Sequence, residues 1–139
     1  MASDPNCIFC KIVKGEIPSL KLYEDAETLA FMDINPVHDG HCLVIPKAHS
    51  ANVFEIDPED FATAARATAK LARAVKAAIP CDGVNLMQAN GEGAGQSVGH
   101  LHLHILPRKS GDGLLFNWDP KPGERDRIAA IAERIREFL

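Results

Sequence analysis

The chain has 139 residues, of which 46% are hydrophobic and 24% charged, and its formal net charge is −4. This length suits one folding unit with its own core, so we predict a single domain over residues 1–139, with an extension and a closing helix in residues 109–139. The acidic balance and the absence of a Lys/Arg run argue against polymeric nucleic acid as a partner. No segment has the apolar length of a signal peptide or a membrane span, which predicts a cytoplasmic protein with no membrane partner.

Runs of segments typical of strands are separated along the chain by segments typical of helices. A short helix is predicted over residues 7–13, before the chain breakers Gly15 and Pro18. Strand composition, bounded by turn residues, then predicts five strands. These strands are residues 20–25, 28–33, 41–47, 83–90 and 97–107.

Two longer helices are also predicted. Asp57 followed by Pro58 is typical of a helix start, and apolar residues then recur at helical spacing as far as Pro80. The C-terminal helix is indicated by one apolar face, formed by Ile128, Ile131, Ile135 and Phe138. Runs of strands with two substantial helices predict an α+β domain built on an antiparallel sheet.

The run GQSVGHLHLHILPR, residues 95–108, contains three of the six histidines of the chain at alternate positions. In a strand, His100, His102 and His104 would share one face while the apolar residues between them face the core. All three do not fit one tetrahedral zinc ion, because the outer two lie roughly 13 Å apart along a strand and zinc–nitrogen bonds are about 2.0–2.1 Å long. Two neighbours could share a metal, and at least one histidine then has another role. Neutral imidazole is a nucleophile and proton carrier near pH 7, and the middle histidine has a neighbour on each side to orient it. The glycine-rich loop before the run supplies amides and a hydroxyl for phosphate oxygens. A merely solvated histidine face is the alternative.

Three segments resemble the histidine triad superfamily of nucleotide hydrolases and transferases, and in particular its Hint-like branch. They are CIFCKIVKGEIPS, FMDINPVHDGHCLVIPKAH and GQSVGHLHLHILPR, in the order the family has them. The resemblance covers most of residues 7–108. It implies an α+β fold of the HIT type, with a five-stranded antiparallel sheet, a long central helix and a C-terminal helix. It also implies a homodimer in which the two sheets pair.

The chemistry that the resemblance implies is hydrolysis of a nucleoside 5′-monophosphate conjugate, such as a purine phosphoramidate, at its α-phosphate. His102 would be the nucleophile and would form a nucleotidyl-histidine that water then hydrolyses. His104 would hydrogen-bond the phosphate or the scissile bridge and help proton transfer to the leaving group. Histidine at this position favours hydrolysis, since the transferases of the family carry glutamine there. Gln96 and Ser97 match loop positions that hold the phosphate and the leaving atom.

The resemblance also assigns a nucleoside-binding surface. Asp33 matches a carboxylate that accepts hydrogen bonds from both ribose hydroxyls, and Asn90 matches a contact on the phosphate or ribose side. The apolar slot for the base is matched by Ile8, Phe9, Ile12, Phe31 and Ile34. The residues alone leave plainer roles open: a turn cap for Asp33, loop positions for Asn90, Gln96 and Ser97, and core packing for the slot.

Two other functions stay open at this point. The first is hydrolysis of dinucleoside polyphosphates, which the same family carries out. The second is a nucleotide-binding or zinc-stabilised interaction module with little turnover.

Cys7 and Cys10 have the spacing of half a zinc site, although the spacing fits a redox pair or two free thiols as well. Similar family members bind zinc with two cysteines followed by two histidines, and here His49 and His100 would complete the set. The resemblance thus implies a structural zinc that ties the N-terminal helix to the catalytic strand. His41, before the third strand, is predicted to be a hydrogen-bonded structural residue.

Overall fold

The computed structural model describes residues 1–139 and has one sheet, three α-helices and a 3₁₀ turn. The helices are α1 (Ile8–Val13), α2 (Pro58–Ala78) and α3 (Arg125–Arg136). The strands are β1 (Lys21–Glu24), β2 (Thr28–Met32), β3 (Cys42–Pro46), β4 (Gly83–Met87) and β5 (Leu103–Arg108). They form an antiparallel sheet in the order β1-β2-β3-β5-β4, which confirms the predicted fold class. None of the helices is both long enough and apolar enough to cross a membrane.

Both faces of the sheet are covered, and alternate residues of each strand serve the two faces. Val44 of β3 belongs to the cluster that packs against α2, whereas Leu43 and Ile45 belong to the cluster that includes Phe9 and Cys10 of α1. This alternation is the period of an extended strand. The α1 face carries the histidines, so the imidazoles are shielded by a helix instead of lying on an open surface.

Helix α2 begins as predicted. The Asp57 side chain accepts a hydrogen bond from the Glu59 amide at 2.8 Å, and Pro58 occupies the first turn, where a missing N–H costs nothing. Ala64 and Ala67 are buried and pack in the same cluster as Val44 of β3, while Ala65 is exposed.

Strand β5 begins at Leu103, later than predicted, so His100 and His102 precede the strand. The reason lies in the neighbouring strand, because β3 ends at Pro46 and proline has no N–H to extend a ladder. The Pro46 carbonyl instead accepts a hydrogen bond from His100 Nε2 at 2.8 Å. The two imidazoles still share a side, since the ring of Phe9 contacts both.

Helix α3 contributes nothing to the core of a single chain. None of its residues is buried, and Ile128 and Ile135 are 58% and 59% exposed. The predicted apolar face therefore exists, but it faces away from the rest of the chain.

Candidate active site

A cleft of about 420 Å³ opens on the α1 face of the sheet. Its walls come from α1, from β2 and the residues after it, from β3 and from the segment leading into β5. The cleft brings together most of the predicted site residues, namely Ile8, Phe9, Ile12, Phe31, Asp33, Ile34, Ser97, His102 and His104. Apolar side chains therefore share one cavity with imidazoles, a hydroxyl and a carboxylate, which is the composition of a small-molecule site.

Asn90 and Gln96 lie outside the lining of this cleft. The Asn90 side-chain oxygen accepts a hydrogen bond from the Val53 amide at 2.7 Å. The Gln96 amide group accepts from the Gly91 N–H at 2.8 Å and donates to the Ala51 carbonyl at 2.6 Å. Both side chains thus brace the loop before β5, and their contacts with a substrate stay predictions.

The glycine-rich loop uses most of its own amides. The backbone N–H groups of Ala94, Gly95 and Gln96 donate to carbonyls inside the loop, so these amides are engaged before any phosphate arrives. Ser97 is different, because it lines the cleft and neither its amide nor its hydroxyl is engaged elsewhere in the chain. The group that the loop offers to a ligand is therefore Ser97.

His102 is oriented by a backbone carbonyl. Its Nδ1 lies 2.7 Å from the His100 carbonyl oxygen, which can only accept, so Nδ1 carries the proton and donates it. The neutral ring then has its lone pair on Nε2. Burial lowers the pKa of His102, which favours this neutral form. His102 is thus held in the tautomer that a nucleophile needs.

A chain of hydrogen bonds gives His104 the tautomer opposite to that of His102, with its proton on Nε2. The Val37 N–H donates to His41 Nδ1 at 3.1 Å, so the proton of neutral His41 lies on Nε2. That nitrogen is 2.9 Å from His104 Nδ1, which accepts and leaves the His104 proton on Nε2. Burial lowers the pKa of His41, and it lowers that of His104 to about 4. His104 therefore presents an N–H where His102 presents a lone pair.

His41 belongs to this site, and no pattern in the sequence indicates it. The prediction of a hydrogen-bonded residue describes its geometry but not its partner. Leu43 pairs with His104 across the sheet, and His41 lies on the same face two residues before Leu43. Only the register between β3 and β5 reveals that the two imidazoles meet.

Asp33 caps the turn after β2 and also lines the cleft. Its Oδ1 accepts from the Asn35 N–H at 2.8 Å, as a turn cap does, and the same side chain lines the cleft. Its Oδ2 lies 3.3 Å from His41 Nε2. Asp33, His41 and His104 thus converge, but the proton on His41 Nε2 leaves no lone pair there for a cation.

A second cluster, formed by Cys7, Cys10, His49 and His100, lies beside His102 and His104. His100 Nδ1 is 3.4 Å from Cys7 Sγ, 3.6 Å from Cys10 Sγ and 3.2 Å from His49 Nδ1. A tetrahedral zinc ion with bonds of about 2.0–2.3 Å separates its ligand atoms by about 3.3–3.8 Å. The four side chains thus already have nearly the spacing of a zinc site.

The chemistry of this cluster also fits a cation. His100 donates its Nε2–H to the Pro46 carbonyl, so its Nδ1 lone pair is directed at the thiols. Burial raises the pKa of the Cys7 thiol, and a divalent cation is what would stabilise the thiolate there. A set of two sulfurs and two nitrogens with no further donor is typical of a structural zinc.

We expect the purified protein to contain about one zinc ion per chain, and Cys10→Ser to lose it and to melt at a lower temperature. Metal binding adds its free energy to the folded state alone, which is why stability should fall with metal content. Elemental analysis and calorimetry measure the two effects. Cys81→Ser is the matched control, because Cys81 lies outside the cluster and should leave both unchanged. Metal-free wild-type protein that melts at the same temperature would mean that Cys7 and Cys10 are only packed thiols.

Comparison with known proteins identifies the family of the chain. The model of the HIT domain matches residues 14–111. The adenosine 5′-monophosphoramidase hnt1 of Schizosaccharomyces pombe is 44% identical over 131 residues, which cover 94% of this chain and 96% of that protein. A crystal structure of a HIT family protein from Bacillus anthracis has a TM-score of 0.90 and 40% identity, with 99% of both chains covered. A Zn-bound histidine triad family protein from Mycobacterium smegmatis has a TM-score of 0.75 and 39% identity, with 95% of this chain and 97% of that chain covered. The chain belongs to the HIT domain family.

Proposed function

We propose that the protein is a nucleotide hydrolase that cleaves nucleoside 5′-monophosphate conjugates at the α-phosphate, with purine phosphoramidates such as AMP-amines as its substrates. A relative of 44% identity is named an adenosine 5′-monophosphoramidase. The observation that carries the proposal is a pair of imidazoles in complementary tautomers. The rings of His102 and His104 lie 4.9 Å apart between centroids, one with a free lone pair and the other with a free N–H.

The reaction follows from these two nitrogens. His102 Nε2 attacks the α-phosphorus, and the bond from phosphorus to the amine breaks. His104 Nε2–H gives its proton to the nitrogen of the leaving amine. Water then attacks the same phosphorus and returns a proton to His104 Nε2, the bond to His102 breaks, and the nucleoside monophosphate departs.

Three kinds of surface in the cleft match the three parts of a nucleotide. The imidazoles and Ser97 suit the phosphate and the leaving group, and the Asp33 carboxylate suits the ribose hydroxyls. The apolar side chains from α1 and from the end of β2 suit a base, whose planar faces are buried at a gain of about 25 cal/mol per Å².

A panel of substrates tests the proposal. The protein should turn over AMP-amines faster than diadenosine polyphosphates, which have a phosphate as the leaving group. Faster turnover of the diadenosine compounds would replace the proposed substrate class with the dinucleoside polyphosphates. No turnover of any member would instead favour a nucleotide-binding module.

Asp33→Ala should weaken the binding of a nucleoside 5′-monophosphate by about 1.5–3 kcal/mol, the range for hydrogen bonds to a charged group. The loss should largely disappear with a 2′,3′-dideoxy analogue, which has no hydroxyls to donate. Titration calorimetry with both ligands measures the difference. Asp33→Asn serves as the control for the turn, because its side-chain oxygen can still accept from the Asn35 N–H. An equal deficit for both ligands would assign Asp33 to the turn alone.

We also propose that the protein forms a homodimer in which the two sheets pair, as the resemblance implies, and that they pair through the edge formed by β4. β4 is an end strand with β5 as its only neighbour, and Leu86, the fourth of its five residues, is 52% exposed. An end strand offers unpaired N–H and C=O groups to a second strand. The apolar face of α3, which nothing in one chain covers, also supports association.

Light scattering at micromolar concentration should therefore give the mass of two chains. Leu86→Asp should shift the protein toward the mass of one chain, because a charge within β4 opposes pairing of two edges. Lys109→Asp, which also changes charge but lies outside β4, is the control. Wild-type protein with the mass of one chain at this concentration would contradict the proposal.

A further inference from the structure

We infer that the C-terminal extension positions the catalytic imidazoles from outside the cleft, through a hydrogen bond between Asp112 and His38. The inference rests on the proposed roles of His102 and His104. It adds two positioning residues to them, neither of which lines the cleft.

The tautomer of His104 depends on a turn whose own hydrogen bonds are local, such as that from the His41 N–H to the His38 carbonyl. The Val37 N–H, which fixes His41, belongs to the turn between β2 and β3, residues 34–40. Val37 is 40% exposed and Ile34 is 81% exposed, so the turn has no buried apolar anchor of its own. An attachment to another part of the chain must therefore fix the position of the Val37 amide.

The structure has two such attachments. His38, next to Val37, lies with its Nε2 3.2 Å from Asp112 Oδ2, and no other side chain of residues 34–40 hydrogen-bonds a distant segment. The other attachment is Gly40, at a φ of +89°, where a Cβ would lie 2.7 Å from Ile79 Cγ1. Close packing at Gly40 fixes one end of the turn, and the His38–Asp112 hydrogen bond fixes its middle.

Asp112 is a rigid anchor. Arg108 holds its carboxylate with two hydrogen bonds, Nε to Oδ2 at 2.7 Å and Nη2 to Oδ1 at 2.9 Å. The amides of Lys109 and Leu114 donate to the same two oxygens at 3.1 and 3.0 Å. The Arg108 guanidinium holds the pKa of Asp112 well below its usual range, so the carboxylate stays charged. His38 Nε2 can donate to it whether the imidazole is neutral or protonated.

These contacts form a closed series that begins and ends in β5. Arg108 is the last residue of β5, the strand that contains His104. Arg108 holds Asp112, which accepts a hydrogen bond from His38, the residue next to Val37. The Val37 amide then donates to His41, which donates to His104. The extension thus holds the turn in place relative to β5, and the turn in turn orients His104 of that strand.

Loss of the His38–Asp112 hydrogen bond should let the Val37 amide move away from His41 Nδ1. The other tautomer of His41 then becomes accessible, and His104 no longer holds its proton only on Nε2. Stabilisation of the leaving group suffers, whereas nucleotide binding does not depend on this proton. The expected signature is therefore a fall in kcat for poor leaving groups at a nearly constant KM.

His38→Leu and Asp112→Ala test the inference, with AMP-amines of alkylamines and of weakly basic arylamines as substrates. We expect kcat to fall about tenfold for the alkylamines and to stay near the wild-type value for the arylamines, which need less help in leaving. His38→Gln should restore most of the loss, because its side-chain N–H can reach the same carboxylate. A uniform loss for both substrates, or no rescue by glutamine, would overturn the inference.

Asp82→Ala is the matched control for general loosening of the extension. Asp82 accepts a hydrogen bond from the Ser110 amide at 2.8 Å, but it does not contact the turn. Its kcat should stay at the wild-type value, and a loss equal to that of His38→Leu would assign the effect to the fold of the extension and overturn the inference.

Nitrogen NMR of the histidine rings separates this inference from the proposed function. In His38→Leu the ring signals of His41 and His104 should move toward a mixture of tautomers while those of His102 stay in place. Unchanged signals together with unchanged kcat would overturn the inference even if a nucleotide adduct forms on His102. Absence of that adduct from the wild-type protein would contradict the proposed function instead.

Discussion

His102→Ala is expected to lower the turnover of an AMP-amine by at least about 10³-fold, because it removes the nucleophile and with it the covalent route. Binding of AMP should change little, since Asp33 and the apolar lining of the cleft remain. Rapid-quench kinetics measure the first effect and titration calorimetry the second. A fall in kcat without a comparable loss of affinity is what removal of a group that acts on phosphorus produces.

Mass spectrometry provides the direct test of the same prediction. The wild-type protein should carry a nucleotide adduct shortly after mixing with substrate, and His102→Ala should carry none. Free imidazole added to His102→Ala should restore part of the turnover, because a small nucleophile can occupy the space of the deleted ring. An adduct on His104, or full turnover without His102, would contradict the mechanism.

The parts of the site that the sequence predicts well are those that local geometry decides. Side chains alternate in an extended chain whether or not a ladder forms, so the three histidines share a side even though β5 begins only at Leu103. The start of α2 follows in the same way from Asp57 and Pro58, whose effects act within a single turn.

The parts that the sequence does not predict depend on contacts between distant segments. The length of β5 is limited by Pro46 of the neighbouring strand, which no pattern within residues 97–107 can indicate. His41 and His104 are 63 residues apart and meet only because of the register of β3 and β5. The same holds for the loop before β5, where the hydrogen bonds of Gln96 with the backbone of Gly91 and Ala51 follow from the fold, while its contact with a substrate stays a prediction.

The three histidines of the run have separate tasks that the geometry explains. His100 uses its ring for the cysteine–histidine cluster and its carbonyl for His102. The candidate zinc ligand His100 is thus two residues from the proposed nucleophile, and a metal that fixes the His100 ring would also hold in place the carbonyl that selects the His102 tautomer. His100 and His102 are only two residues apart, so fixing the position of His100 also restricts the position of His102. One short segment can therefore combine a structural role with the proposed catalytic role.

His104→Ala should lower kcat for AMP-alkylamines by about 10²–10⁴-fold, the usual worth of general acid–base help. Val37 donates to His41 Nδ1, and His41 Nε2 donates to His104 Nδ1. The proton of His104 therefore lies on Nε2, the nitrogen that is free to contact the substrate. Its deletion removes the donor that stabilises the departing amine, while the lone pair of His102 stays available. A nucleotide adduct should therefore still form on His102, only more slowly.

The dependence on the leaving group distinguishes this role from a structural one. A plot of log kcat against the basicity of the leaving amine should be steeper for His104→Ala than for the wild-type protein, and the two lines should converge for weakly basic arylamines. His104→Gln is the informative control, because it keeps an N–H in the cleft but cannot exchange a proton with His41. His104→Gln should form the adduct faster than His104→Ala does. The adduct should nevertheless accumulate, because the water that hydrolyses it has to lose a proton and glutamine cannot accept one. An equal loss for every leaving group would show that His104 supports the cleft and takes no part in the departure of the amine.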